Sequence, residues 1–177
     1  MIHFIIGGAR SGKSRFAQQT VTELAQSGDQ DIYYIATATV TDTQMEKRIQ
    51  RHQQDRPCHW KLVEAPYTLP QAIADIPDQD LILVDCLTLW LNNLLFKQPE
   101  QQFEDIFTQL TDVLSARKGT TILVANEVGL GIIPMGEISR QFVDQAGWLN
   151  QAIGAIAHKV TFVAAGLPLT LKASSSL

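Results

Sequence analysis

Gly7-Gly8-Ala9-Arg10-Ser11-Gly12-Lys13-Ser14 follows directly on the apolar run Ile2-His3-Phe4-Ile5-Ile6 and leads into Arg15 to Gln26, where Phe16, Ala17, Val21, Leu24 and Ala25 recur at helical spacing. The eight residues satisfy G-x-x-x-x-G-K-[ST], a phosphate-binding loop. Its glycines let the backbone curl so that successive N–H groups point inward at phosphate oxygens, Lys13 brings a compact positive charge to the β/γ-phosphates, and Ser14 offers a hydroxyl to Mg²⁺. A bare glycine turn can match the same pattern, but the run of strand, loop and helix is the context that confirms the motif.

Working outward, Leu81-Ile82-Leu83-Val84-Asp85 has the form of a Walker B strand, whose carboxylate lies opposite the phosphate loop and holds Mg²⁺ directly or through water. Ile32 to Ala36, Thr121 to Asn126 and Val160 to Ala165 read as further buried strands, Lys61 to Glu64 as a short strand and Leu169 to Lys172 as an edge strand. Between them the patterns of Leu69 to Ile76, Cys86 to Phe96, Gln101 to Arg117 and Ser139 to His158 are helical. Strands alternating with helices predict an α/β, single-domain P-loop NTPase-like fold over residues 1–172, with a mostly parallel central sheet and helices on both faces. Residues 173–177 read as a frayed tail. Thr37-Ala38-Thr39 falls where such a sheet opens its carboxyl edge, and two readings stand there: nucleotide contact and plain strand end. The Gly-punctuated stretch Glu127 to Pro134 leaves another carboxyl end, as a lid, a substrate contact or a tight connection.

The totals restrict the rest. At 177 residues and 45% hydrophobic content the chain can build one full core, and a net charge of −4, from 14 basic and 18 acidic residues without blocks of like charge, offers no general nucleic-acid or membrane surface. No apolar run approaches the roughly 18 residues of a membrane span. Cys58 and Cys86 are too few for a disulfide framework or a metal knuckle, and the N-terminus reads as a strand rather than a signal peptide, so the cytoplasm is the expected compartment. Cys86 to Phe96 reads as core or as subunit interface; Leu87 to Phe96 is apolar beyond the needs of one helix face, which predicts that part of it forms a patch for a neighbouring subunit.

From Asp42 to Asp55 the composition turns polar, and Met45, Ile49 and His52 fall at i, i+4 and i+7, flanked by Arg48, Arg51 and Arg56. This is either a solvated surface helix or an anion-facing helix that carries a nucleophile. His3 within a strand and His158 at a helix end read as structural.

The chain resembles the bifunctional adenosylcobinamide kinase / adenosylcobinamide-phosphate guanylyltransferase family of cobalamin biosynthesis. The resemblance rests on the phosphate loop; Tyr34-Ile35-Ala36-Thr37; Arg48-Ile49-x-x-His52 with Arg56-Pro57-x-x-Trp60 and Glu64; Leu83 to Thr88; Asn126-Glu127-Val128-Gly129-x-Gly131-Ile132-x-Pro134; and Ala165 to Pro168. It implies ATP and GTP as substrates with Mg²⁺, phosphorylation of adenosylcobinamide, and then GMP transfer to that phosphate through a guanylylated histidine, which matches His52. The nucleotide contacts it implies are Gly7, Gly8, Ala9, Arg10, Ser11, Gly12, Lys13 and Ser14, then Thr37, Ala38 and Thr39, then Gln53, Gln54, Asp55 and Arg56, with Glu64 and Asp85; Ser14 and Asp85 fall on the metal. Its implied partners are the corrinoid and further copies of the chain as a homo-oligomer, a trimer, with no nucleic acid. The chain departs from many members in Gln53, where they have Lys or Arg, and in Leu62, where they have Thr. Two rival classes are a P-loop small-molecule kinase without a covalent intermediate and a nucleotide-dependent switch protein; the Asn/Thr-Lys-x-Asp guanine motif of ordinary switch GTPases does not occur.

Overall fold

A computed structural model, describing residues 1–26, 30–39, 57–97 and 101–173, gathers the apolar runs into a seven-stranded sheet of order β3-β2-β4-β5-β1-β6-β7. The strands are β1 (Ile2–Gly7), β2 (Ile32–Ala36), β3 (Lys61–Glu64), β4 (Leu81–Asp85), β5 (Thr121–Asn126), β6 (Lys159–Ala164) and β7 (Leu167–Lys172). All pairings are parallel except β6 with β7. The central strands are apolar at nearly every position because both their faces are covered, whereas β3 and β7 form the edges and are largely exposed.

One face is covered by α1 (Lys13–Ala25), whose Ala17 and Val21 pack with Ile5, Leu83 and Val124. The other carries α2 (Leu69–Ala74), α3 (Leu87–Lys97), α4 (Phe103–Ala116) and α5 (Glu137–Ile156) around a larger core that includes Phe4, Val84 and Leu123. Burying one Leu, Ile or Phe side chain contributes roughly 1.5–3 kcal/mol, so this double-faced core is the main source of stability.

The structure corrects three sequence expectations. The apolar excess of Leu87 to Phe96 does not make a patch: Leu87, Trp90, Leu91, Leu94 and Leu95 are all buried, with the Trp90 indole donating to Tyr67 O at 3.1 Å, and Phe96 alone stands largely exposed. That helix lies inside the deeper layer, where apolar residues are needed all round. The last strand begins at Leu167 instead of Leu169, since Ala165 (φ 52°) and Gly166 (φ 79°) make a tight two-residue hairpin and Pro168 sits in an edge strand, where a missing N–H is tolerated. Finally, α5 begins two residues earlier than Ser139, at Glu137.

The amino edge of the sheet is tied off. Arg117 donates to Ile76 O (2.6 Å), Pro77 O (2.8 Å) and Asp80 O (2.6 Å), and the N-terminal amine donates to Gly119 O. His158 Nδ1 accepts the Ile2 amide at 3.0 Å, which fixes its structural role. His3 is buried beside Thr161 (Nε2 to Oγ1, 2.9 Å) and edge-on to Phe16. Among the described residues no helix is long and apolar enough to cross a membrane.

Burial, aided by the charge of Lys159, pushes the His3 imidazole down from 6.5 to about 4. The fold therefore favours the neutral ring, and the stability it carries is complete above pH 6.5 and is lost as the pH falls from there to about 4. Urea titrations at pH 7 and pH 4 should show a loss on the order of 3 kcal/mol that is specific to His3. His3→Gln should lack that component, and an identical pH dependence in the two proteins would refute it.

Candidate active site

β1 is flanked by β5 and β6, and the connections out of β1 and β5 leave in opposite directions: α1 passes over one face toward β2, and α5 over the other toward β6. A crevice opens at that point outside the carboxyl ends, the place where open α/β sheets receive ligands. Gly7 to Ser14 fill it. The Glu127 amide donates to Gly7 O at 3.0 Å and the Gly166 amide to Ser11 O at 2.8 Å, so the loop is gripped from both neighbouring strands.

Within the loop, Ser11 N (3.3 Å) and Lys13 Nζ (3.0 Å) both reach Gly8 O, while Arg10 (φ 57°) and Gly12 (φ 96°) take left-handed conformations. The curl predicted from the glycines is present, and it turns the chain into α1. Gly12 brings no capping side chain and the first turn of α1 holds no acid, so its leading N–H groups and the positive end of the helix dipole face the crevice. A Cβ at Gly7 would lie 2.3 Å from Val163 O, so this position admits only hydrogen. The buried Ser11 Oγ has no hydrogen-bond partner among the described residues, which suits a loop built to meet an acceptor-rich ligand. Ala9 and Arg10 are exposed, and Gly8 and Ser14 half-buried.

Asp85 ends β4 and is half-buried. It does not lie directly opposite β1, because β5 intervenes. The register aligns Glu64, Ala36, Asp85, Val124 and Ile5 in a single row on the α1 side. Neighbouring strands are about 4.8 Å apart, which puts Glu64 and Ile5 each about 10 Å from Asp85 along the row. The charges of Asp85 and Lys13 both act on the Cys86 thiol, the first raising and the second lowering its pKa, so the phosphate loop and the Walker-type strand end share one neighbourhood. Among the described residues no cluster of three His, Cys, Asp or Glu forms a metal cage. Ser14 and Asp85 are hard oxygen donors that suit a Mg²⁺ shared with substrate phosphates and water.

The Thr37 hydroxyl, fully buried, donates to Cys86 O (2.7 Å) and accepts the Cys86 amide (3.0 Å). It thus ties the ends of β2 and β4 together. Thr39 donates to Asn93 Oδ1 (3.0 Å), while Asn93 Nδ2 donates to Thr37 O (2.7 Å) and Pro66 O (3.1 Å). Asn93 and Thr88, whose hydroxyl accepts the Asn126 amide at 2.6 Å, are scaffold residues that sequence reading missed. A polar residue inside the apolar run Leu91-Asn92-Asn93-Leu94 was the available signal. Ala38 is half-buried beside these threonines, and Glu64 is exposed at the end of the edge strand. His52, Gln53, Gln54, Asp55 and Arg56, with Arg48 and Arg51, lie outside the described residues.

Comparison with known proteins agrees with this geometry. The family model described as cobinamide kinase / cobinamide phosphate guanyltransferase matches residues 3–171. A bifunctional adenosylcobalamin biosynthesis protein of Pseudomonas aeruginosa is 45% identical over 173 residues, covering 97% of this chain and 98% of that protein. One from Escherichia coli is 36% identical over 186 residues, covering 97% and 100% respectively. Among solved structures, the flagellar accessory protein FlaH of Methanocaldococcus jannaschii superposes with a TM-score of 0.56 at 14% identity over 98% of this chain and 78% of its own, a likeness of fold.

The cradle's dependence on Gly12 can be measured. An alanine there must hold φ near 96° with its Cβ 3.2 Å from Gly166 Cα, and strain of ~1–3 kcal/mol of this kind distorts the loop. Calorimetric titration with Mg·ATP should show Gly12→Ala binding at least about tenfold more weakly; equal affinity would mean that the loop backbone does not hold the phosphates.

Proposed function

Since the chain belongs to the cobinamide kinase / cobinamide phosphate guanyltransferase family, we propose that its carboxyl-edge cradle serves two reactions in turn. In the first, the hydroxyl on the aminopropanol arm of adenosylcobinamide attacks the γ-phosphorus of ATP or GTP, and the nucleoside diphosphate leaves. In the second, GMP passes from GTP to the new phosphate and pyrophosphate leaves. The observation that carries this reading is the phosphate loop seated in the crevice with Asp85 and Glu64 in one row beside it. Lys13 and the α1 amides hold the phosphates, and Ser14 and Asp85 hold Mg²⁺, which would neutralise charge on the leaving group.

We assign the guanylyl carrier to His52. A ring nitrogen attacks the α-phosphorus of GTP, a P–N bond forms as the bond to the bridging oxygen breaks, and the imidazole gives up its N–H proton. An oxygen of the corrinoid phosphate then displaces the imidazole. A neutral ring is available at pH 7, since an unperturbed imidazole has a pKa of about 6.5. The other three of the chain's four histidines stand apart from the phosphate loop or are held in the scaffold. His3 is buried with Thr161, His158 accepts the Ile2 amide, and His59 lines a small cavity with Thr22, Gln30 and Asp31 at the amino edge. Arg48, Arg51 and Arg56, close to His52 in sequence, supply positive charge for the transfer. The nucleotide contacts assigned to Gln53, Gln54, Asp55, Arg56 and Glu64 belong to the same proposal.

The subunit also associates with copies of itself, as a trimer. Leu167, Leu169 and Leu171 stand exposed on the edge strand β7, which supports the reading where α3 does not. Light scattering should give a multiple of 19.6 kDa, and Leu169→Lys should shift it toward the monomer; a wild-type monomer that is fully active would exclude the assembly.

The carrier step has a decisive assay. Protein incubated with Mg²⁺ and GTP labelled at the α-phosphate, without corrinoid, should retain label that is stable to alkali and released by acid, as a phosphoramidate is. Label from the γ-position should not be retained. His52→Asn should abolish incorporation and His59→Ala should keep it. Incorporation surviving in His52→Asn would move the carrier elsewhere, and none in the wild type would favour a kinase that works without a covalent intermediate.

A further inference from the structure

From the loop that leaves β5 we infer a docking ledge for the corrinoid ring, formed by Leu130, Ile132, Ile133 and Met135. This rests on the reading above, that the acceptor is an adenosylcobinamide. The four side chains are 81%, 97%, 74% and 97% exposed, an unusual concentration of apolar surface on a segment of six residues. Local hydrogen bonds shape the chain on either side of the segment. Glu127 Oε1 accepts the Gly129 amide at 2.6 Å, and Arg140 of α5 donates to Pro134 O at 3.4 Å and to Met135 O. Four large apolar side chains gathered in water on one short segment suit an occupant.

Its position and composition say which one. The Glu127 amide sits on Gly7 O, so the ledge departs from the crevice that holds the phosphates, and Leu130 follows three residues on, within about 10 Å of chain. The acceptor hydroxyl must reach the γ-phosphate, and it hangs on a flexible arm, so the bulk of its macrocycle must rest about one arm's length from the phosphate loop. Residues 130–136 read Leu-Gly-Ile-Ile-Pro-Met-Gly, with no charge and no hydrogen-bonding side chain. They offer nothing to a phosphate or a ribose. They can pack on the methyl groups that stand between the carboxamide arms of a corrin rim, and Met135 and the two isoleucines can conform to a ring whose edge is irregular. Bound there, the macrocycle serves both reactions from one position while its arm carries first a hydroxyl and then a phosphate to the crevice.

The test measures corrinoid binding directly and does not depend on turnover. Adenosylcobinamide is equilibrated by dialysis against wild-type protein and against the double variant Ile132→Ser/Met135→Ser, and bound ligand is read from corrin absorbance. The double variant should show a Kd raised at least about tenfold, the change that about 1.4 kcal/mol produces, while calorimetry finds its ATP affinity retained and light scattering finds its mass unaltered. Phe96→Ser, which removes another exposed apolar side chain from α3, should bind like the wild type. An unchanged Kd in the double variant, no corrinoid binding by the wild type, or a lower particle mass in the double variant overturns the ledge, the last by showing it to be a contact between subunits. A raised Kd in a protein that takes no α-label from GTP would uphold the ledge and refute the His52 step alone.

Discussion

Val163 O stands where any Cβ on Gly7 would have to be, 2.3 Å from it, and a few residues later the Gly166 amide reaches back to Ser11 O at 2.8 Å. This close approach of the β6–β7 hairpin to the phosphate loop is the contact on which the carboxyl edge depends. It fixes the level at which the loop leaves β1, and hence the direction of α1 and of the amides at its start. It also gives a physical reason for the one antiparallel strand. A chain continuing out of β6 in another direction would not bring Gly166 over the loop, whereas a tight return into β7 does so with a turn of two residues.

On the other side of the crevice the bracing is done by side chains. Thr37 exchanges two hydrogen bonds with the backbone of Cys86, and Asn93 holds Thr37 O, Pro66 O and Thr39 together from α3. A buried network with its donors and acceptors used is rigid, and one left half-satisfied is costly. This accounts for polar residues in an otherwise apolar helix. Arg117 does comparable work at the amino edge with three backbone carbonyls.

The fold class was legible because buried parallel strands are apolar at nearly every position, and the runs at Ile32–Ala36, Leu81–Asp85 and Thr121–Asn126 coincide with strands to the residue. The phosphate loop was legible for a different reason: its function resides in backbone geometry, which a fixed spacing of glycines encodes. Three things were hidden. Strand order depends on which helix crosses which face, so the strand between β1 and β4 could not be read from local pattern. Thr37 carried two meanings in sequence, and only its Cys86 partners show how the hydroxyl is used. The apolar run of α3 read as core or as subunit interface, and the choice stayed open because periodicity reports how much of a helix is apolar and is silent on how many neighbours surround it. Among the described residues, exposed apolar side chains gather instead on the loop after β5 and on β7, with Phe96 the exposed one on α3.

Cys86 adjoins Asp85 at the mouth of this crevice, and burial, with the neighbouring carboxylate, pushes its thiol up to about 11. At neutral pH the group is therefore held as the neutral thiol. Where an activated phosphorus is handled, a thiolate would be a competing acceptor and a target for oxidants. The sulfur instead packs as a small hydrophobe while the adjacent Thr37 hydroxyl is engaged on both sides. The same close packing that joins β2 to β4 thereby keeps this thiol in its neutral, unreactive form.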